Sequence, residues 1–571
     1  MAKYNVIDKR AAVVAAPAPA VGVIGTKKSG KTARTFEGHS GFERKDKSAL
    51  FLLAAGSLGG EDTFYEKADA RTQRLVELVR KVAVKDPEWI AAFLAWLRSE
   101  GNIRTASVVG GVEAADALAK AGIPGGRQIL ASVLQRADEP GEAMAYWLAT
   151  RGRKVLMPKP VKRGIADAAV RLYTEFSFMK YDSDRSAVRF GDVIEMTRPS
   201  ADLTAAQKIF KEIDEAAVEV EAEDMASWLA DQNLRRDQKI NQWLVRTSEL
   251  FRYAIEKRHN RGLEPGESLA MIRAARDLRA RFEEDPRVLL DAEALKAAGF
   301  TWEDTLSLAG NKLDKGLVWK STLPNLGIMA LIRNIRNLDE AGVSDKDVAP
   351  AIARISDPEQ IAKSRQLPYR FYSAYKAVQE SRSLRWGHAL DLALNASLAN
   401  IPVLGGRTLI LVDTSGSMQR TMSGKSQMRY EEVAGLFGVA LGLKGEADVW
   451  AWATGAYQFQ LKGTSVLRNL EQFMAENNKV GSGTDLTQAI RKAYVPGKYD
   501  RMVVISDMQV LPYGRGLIPT DIPCYFYDLA GYNAAAVQTV GQVYELGGLT
   551  DHTFKLITML EAGNSGKWPW E

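Results

Sequence analysis

Apolar residues recur at three- and four-residue spacings through most of the first four hundred positions. The segments 71–84, 89–100, 106–121, 166–178, 205–220, 237–257 and 324–338 each carry one such face, which predicts an amphipathic helix in each. Asp86-Pro87 and Gly122-Ile-Pro-Gly-Gly punctuate them. A helix of this kind cannot bury its apolar face alone, so stacked antiparallel pairs, an α-solenoid of HEAT-like repeats, are expected. Beyond position 400 the period changes. Thr408-Leu-Ile-Leu-Val-Asp413 and Arg501-Met-Val-Val-Ile-Ser-Asp507 are apolar runs that each end in aspartate, with an amphipathic stretch from Ser465 to Glu476 between them. Buried parallel strands read this way, so an α/β domain is expected to follow the helices. The predicted fold class is α plus α/β. Its expected parts are a flexible basic arm over 1–34, an α-helical repeat ring over 35–400 and a mostly parallel-sheet domain over 401–571.

The 571 residues are too many for one core, and an apolar content of 46% is that of a globular chain. The single cysteine, Cys524, excludes an internal disulfide framework and fits a reducing cytoplasm. It sits in the run Ile522-Pro-Cys-Tyr-Phe-Tyr, which points to buried packing. No stretch approaches the roughly 20 apolar residues of a membrane helix. The Ala/Val-rich segment 11–25 is broken by Pro17 and Pro19 and reads as part of the arm rather than as a signal peptide.

The two strand ends carry candidate chemistry. Asp413-Thr-Ser415-Gly-Ser417 places one carboxylate and two hydroxyls on a loop at the carboxyl end of a strand, where open α/β sheets bind ligands. Oxygen donors of this kind suit a hard divalent cation, Mg2+ first and Mn2+ second. Further oxygens are expected from Thr484, in Gly-Ser-Gly-Thr484-Asp485, and from Asp507. In this ordered set the C-terminal region resembles a von Willebrand factor A domain with its metal-ion-dependent adhesion site. The resemblance implies that Ser415, Ser417 and Thr484 bind the cation directly. It also implies that Asp413 and Asp507 act through water and that a partner's acidic group completes the shell.

Charge divides the chain differently. From residue 401 onward there are 15 Lys and Arg against 16 Asp and Glu, which leaves 61 against 54 before it, so the basic excess belongs to the helical part. Arg151, Arg153, Lys154, Lys159, Lys162 and Arg163 lie in a stretch without a single acid, and Lys180, Arg185, Arg189 and Arg198 come next. Pro158 and Pro160 interrupt the run, which therefore reads as a loop leading into a helix that begins near Ile165. Cations on such a loop suit phosphate, because each neutralised phosphate releases condensed counterions. A nucleic acid is the expected partner.

Four segments taken together carry a more specific likeness. They are Ala54-Ala-Gly-Ser-Leu-Gly-Gly-Glu-Asp-Thr-Phe-Tyr65, Leu323-Pro-Asn-Leu-Gly-Ile-Met-Ala-Leu-Ile-Arg-Asn334, Leu367-Pro-Tyr-Arg-Phe-Tyr-Ser-Ala-Tyr375 and Ala389-Leu-Asp-Leu-Ala-Leu. With the metal loop after them, they resemble the Ro autoantigen family, a TROVE module followed by a von Willebrand A domain, over roughly residues 35–571. The resemblance implies a monomeric ring of helical repeats closed by contact with the A domain. Such a ring would bind small structured noncoding RNAs, the Y RNAs, on its basic outer surface and single-stranded 3′ ends of misfolded RNA in its central hole. It implies a cytoplasmic ribonucleoprotein acting in RNA quality control or as a scaffold for an exoribonuclease, with neither DNA nor a membrane as partner. Lys162-Arg163-Gly-Ile-Ala-Asp167 matches the family's basic pair before an Ile-Ala-Asp helix. Lys180-Tyr181 with Arg185, Arg189 and Asp192 matches its RNA-contacting segment, although Ala187, Val188 and Arg189 stand where the family usually has histidine and tryptophan.

Enzymatic signatures are weak. Gly25-Thr-Lys-Lys-Ser-Gly30-Lys31-Thr32 matches a phosphate-binding loop, but Ala33-Arg-Thr-Phe-Glu-Gly-His-Ser-Gly directly after it cannot continue as the helix such a loop requires. His39, His259, His388 and His552 are scattered. A non-enzymatic RNA-binding protein is expected. The other open reading is a metal-dependent protein-adhesion or chelatase-like module in which the A domain carries the function without RNA.

Overall fold

The computed structural model describes residues 32–34, 40–42, 45–56, 68–101, 103–200, 225–364, 366, 368–381, 384–401, 403–422, 428–508, 517–529, 542–547, 557, 561, 568 and 570. The helix expected over 205–220, most of the 54–65 motif and the arm up to Lys31 lie outside them. Thr32 opens a short strand, β1 (Thr32–Arg34), paired antiparallel with β2 (Ser40–Phe42). A working phosphate-binding loop would open a helix at that point.

The chain packs as two compact units, one formed by Ser107–Leu326 and the other by Met1–Ala106 together with Gly327–Glu571. In the second unit the first helices are α1 (Asp46–Gly56), α2 (Ala68–Lys85) and α3 (Pro87–Ser99). Asp86 caps α3 by accepting from Trp89 N at 3.1 Å, and Pro87 occupies the first turn, where its missing N–H costs nothing. Trp89, Phe93 and Trp96 form the buried face of α3. That face and Phe51 of α1 meet two tryptophans from the far end of the sequence: Trp89 lies edge-on to Trp568 at 5.0 Å, and Phe51 is 5.6 Å from Trp568. Trp568 and Trp570 stack at 5.4 Å. Aromatic pairs in these geometries add about 0.5–1.5 kcal/mol each beyond area burial.

The same unit holds a six-stranded sheet in the order β5-β4-β3-β6-β7-β8. Its strands are β3 (Arg407–Asp413), β4 (Glu446–Trp452), β5 (Ala456–Phe459), β6 (Arg501–Ser506), β7 (Cys524–Asp528) and β8 (Val543–Gly547). All neighbours run parallel except β4 and β5. All of β6 and all of β3 beyond Arg407 are buried, as their apolar runs predict. The Tyr430–Lys444 helix lies so close to β3 that a Cβ on Gly438 would stand 2.5 Å from Val412 Cγ2. Cys524 is buried in β7, and burial raises its thiol to about 12, as expected of a packing residue.

The first unit is helical. Its leading helices are α4 (Arg104–Lys120), α5 (Gly126–Val133), α6 (Glu139–Arg151), α7 (Lys159–Leu172), α8 (Glu175–Tyr181) and α9 (Phe190–Thr197). The helix expected over 166–178 is two helices. Thr174 accepts from Ser177 N at 3.2 Å and Ser177 Oγ accepts from Thr174 N at 2.8 Å, a reciprocal cap that ends one helix and starts the next. The 237–257 pattern lies inside the longer Met225–Arg258 helix, and the 324–338 pattern becomes a 3-10 turn, Leu323–Asn325, followed by Ile328–Glu340. No described helix is long and apolar enough to cross a membrane.

Candidate functional site

β3 and β6 are neighbours in parallel register, with Val412 opposite Ile505, so the loops after Asp413 and Ser506 leave the same edge of the sheet. Asp413 is fully buried, and both its oxygens are engaged. Oδ1 accepts from Ser415 N at 2.9 Å and Oδ2 from Ser506 Oγ at 2.6 Å. Burial pushes its carboxyl up to about 6, against the hydrogen bonds from Ser415 and Ser506. Ser415 Oγ and Ser417 Oγ stand 3.2 Å apart. Thr414 N and Oγ1 both donate to Trp452 O, at 2.9 and 3.1 Å, which folds the loop toward β4.

Thr484 belongs to a second loop that the first one touches: Gly416 N donates to Ser482 O at 2.9 Å, and Gly483 N donates to Thr454 Oγ1 at 2.8 Å. Asp485 then caps the Leu486–Ala493 helix through Gln488 N at 3.0 Å, leaving half-buried Thr484 as the loop's hydroxyl donor. Asp507 is buried directly after Ser506, and Met508 beyond it is held at φ +62°. A non-glycine residue in that region stores local strain. All five expected donors therefore stand on three loops tied together by hydrogen bonds.

Sequence reasoning missed Ser506, which links the two strand ends, and Thr454 and Ser482, which link the loops. Ser506 was findable as the one polar residue closing an apolar strand. Among the described residues no group of three or more His, Cys, Asp or Glu could hold a metal, so a cation on this edge would depend on hydroxyls. Hydroxyls with two carboxylates form an oxygen-only set, which fits a hard divalent ion and leaves positions for water or a partner's carboxylate.

The ten basic candidates separate into three groups. Arg151 is corrected from an RNA ligand to an internal residue. It is 11% exposed and bonds Glu113 at 2.8 Å and Asp116 at 3.0 Å, both themselves buried, with its guanidinium over the Trp147 ring. Burial works against its charge, but the hydrogen bonds it donates to Glu113 and Asp116 outweigh it and raise the pKa. Arg189 is corrected likewise. It is 8% exposed and pairs with Asp182 and Asp184 at 2.6 Å, while its N–H is accepted by Asp192 at 2.9 Å.

Arg153, Lys154, Lys159 and Arg163 are exposed and Lys162 is half-buried; none has an ion-pair partner among the described residues. Their setting also corrects the reading of the run as a loop. Pro158 is the N-cap and Pro160 lies in the first turn of α7, positions that accept proline, so Lys159, Lys162 and Arg163 are helical. Pro158 supplies no side-chain cap. α7 is fixed from behind: Arg127 bonds Asp167 at 2.6 and 2.8 Å, and Arg171 donates to Ala131 O and Leu134 O at the end of α5. Gly164 permits the close crossing, since a Cβ there would meet Leu130 Cβ and Arg127 O at 2.9 Å.

Lys180 on α8, Arg185 in the turn before α9 and Arg198 at the end of α9 are exposed.

The fold and loops define a class: α-helical repeats followed by a von Willebrand A-like α/β domain. Comparison with known proteins narrows it. Residues 297–389 match the TROVE domain. The chain is 35% identical over 100 residues to mouse "Telomerase protein component 1", covering 17% of this chain and 4% of that protein. It is 27% identical over 184 residues to the "RNA-binding protein RO60" of Caenorhabditis elegans, covering 30% of this chain and 28% of that protein. The chain thus spans only a small part of these relatives. The crystal structure of the Deinococcus radiodurans RO (RSR) protein superposes with a TM-score of 0.58 over 91% of this chain and 100% of that one, at 15% identity, a likeness of fold. Residues 297–389 thus carry a TROVE-domain match, and the fold of the chain is like that of the RO protein.

Proposed function

We propose that this protein binds RNA through the cations around the start of α7. The observation that carries the reading is the position of Lys159, Lys162 and Arg163. Lys159 and Lys162 occupy the first helical turn and Arg163 comes directly after it, with no acid in that turn. The positive end of the helix dipole disfavours cations there, so folding alone gives no reason for them, whereas a bound phosphate would meet both the side chains and the uncapped N–H groups. The RO60 relative is named as RNA-binding, which supports the same ligand.

In finer terms, the RNA is a small structured noncoding species of the Y RNA kind on this face, and single-stranded 3′ ends of misfolded RNA enter the central hole of a monomeric ring. The activity is non-enzymatic RNA quality control in the cytoplasm, with an exoribonuclease as protein partner. Ser415, Ser417 and Thr484, backed by Asp413 and Asp507, hold Mg2+, or Mn2+ in its place. The cation supplies a Lewis-acidic position for a partner's carboxylate.

Fluorescence anisotropy on a hairpin with a single-stranded 3′ tail tests the RNA reading. The variant Lys159→Ala/Lys162→Ala/Arg163→Ala should bind at least about tenfold more weakly, whatever the RNA sequence. Its log Kd against log salt slope should be shallower by about 2, for three lost phosphate contacts. A folded triple variant with wild-type affinity and slope would remove the RNA face from α7.

A further inference from the structure

The segment between α6 and α7 holds an apolar tip among those cations. Leu156 is 92% exposed and Val155 50%. The tip is a short turn pinned at both ends. Gly152 ends α6 at φ +81°, Val155 N donates to Gly152 O at 3.4 Å, and extended Pro158 starts α7. Behind it, α6 is held by the buried Arg151 pairs with Glu113 and Asp116, and α7 by Arg127 and Arg171. No fold requirement places two branched apolar side chains in water at the end of a rigid turn. Arg153 and Lys154 precede them, Lys159, Lys162 and Arg163 come after, and none of these five has an ion-pair partner among the described residues.

We infer that the Val155-Leu156 tip is a nucleobase contact, seated against the unpaired bases of a single-stranded loop or bulge in the structured RNA whose phosphates lie on the surrounding cations. The inference rests on the RNA reading above. A nucleotide strand presents a flat, weakly polar base face and an anionic phosphate in the same repeating unit, which matches an apolar side chain flanked by free cations. Unpaired bases are open to such contacts, and leucine serves as a wedge at base steps elsewhere. The tip would favour single strands over duplex without reading base identity.

Two probes separate base contact from phosphate contact: a fluorescein-labelled oligouridylate, and a chain of the same length made of abasic ribose phosphates. Leu156→Ser should weaken binding of the oligouridylate about tenfold, leave the abasic chain unchanged and leave the salt slope unchanged. Leu156→Trp, which offers a stacking face, should tighten only the oligouridylate. Because Leu156 is solvent-exposed, both variants should melt with the wild type.

Equal loss on both probes, or no loss on either, as for a tip that serves a protein partner, overturns the inference. If the α7 triple variant weakens both probes while Leu156→Ser changes neither, the tip assignment alone falls. If the triple variant has no effect, the RNA reading falls with it.

Discussion

The hydroxyl loops of the sheet and the basic start of α7 were equally conspicuous in the sequence, yet the fold treats them in opposite ways. At the sheet edge Asp413 is buried, and hydrogen bonds join it to Ser415 and Ser506 before any ligand arrives. At α7 the cations of 153–163 have no partner among the described residues and project from a rigid backbone. On the proposed reading, the place for one small ion is built inward. A surface for a long polyanion leaves its charges unsatisfied and fixes only their mounting.

The sharpest test of that contrast is Arg151, which belongs to the basic run by sequence and to the interior by structure. Arg151→Ala strands Glu113 and Asp116 in a buried site and should cost about 3–5 kcal/mol in chemical denaturation, while the α7 triple variant should cost little. If the folded Arg151 variant instead changes the salt slope of RNA binding and not the stability, the division between internal and external cations is wrong. Next in size, Mg2+ at about a hundredfold excess over its Kd should stabilise the wild type by about 2.7 kcal/mol. Chelator should reverse this, and Asp413→Ala should abolish it. RNA affinity should be the same with and without the ion; a collapse of RNA binding in folded Asp413→Ala would join the two regions into one site.

A smaller effect lies near the other end of β3 and β4. Burial pushes the Asp448 carboxyl up, but hydrogen bonds from Lys498, Arg407 and Tyr499 outweigh it and hold it at about 2. A carboxyl depressed in the fold stabilises above its unfolded pKa, near 4, and that contribution is lost as pH falls through about 2. Asp448→Asn should flatten the acid limb of a stability–pH curve and leave Mg2+ and RNA binding alone. The smallest change is expected at Arg198, which ends α9 at φ +51°. Arg198→Gly should relieve that conformation and gain roughly 0.5 kcal/mol. A loss of RNA affinity as large as the triple variant's would extend the binding face to the end of α9.

What could be read in the chain was what is local. The period change near 400, the apolar strands and the Asp-x-Ser-x-Ser loop each announce themselves within a dozen residues, and the sheet is built from them. Pro158 and Pro160 misled because proline breaks helix interiors but suits first turns, and only the capping geometry separates the two cases. Arg151 and Arg189 misled for a different reason. Their acids come from α4 and from the turn before α9, and a count of like charges along the chain does not see them. The Ser506 bond to Asp413 is likewise a contact between distant segments, invisible until the sheet is assembled.

The aromatic cluster of Phe51, Trp89, Trp568 and Trp570 bears on how the molecule is made. During synthesis α1 and α3 leave the ribosome before Ser107–Leu326, but the tryptophans that cover their faces are translated only after it. Ser107–Leu326 can reach its packed state while the nascent chain is still growing. Until Trp568 and Trp570 are made, α1 and α3 hold aromatic faces without their native cover, so the two ends of this unit close its packing last.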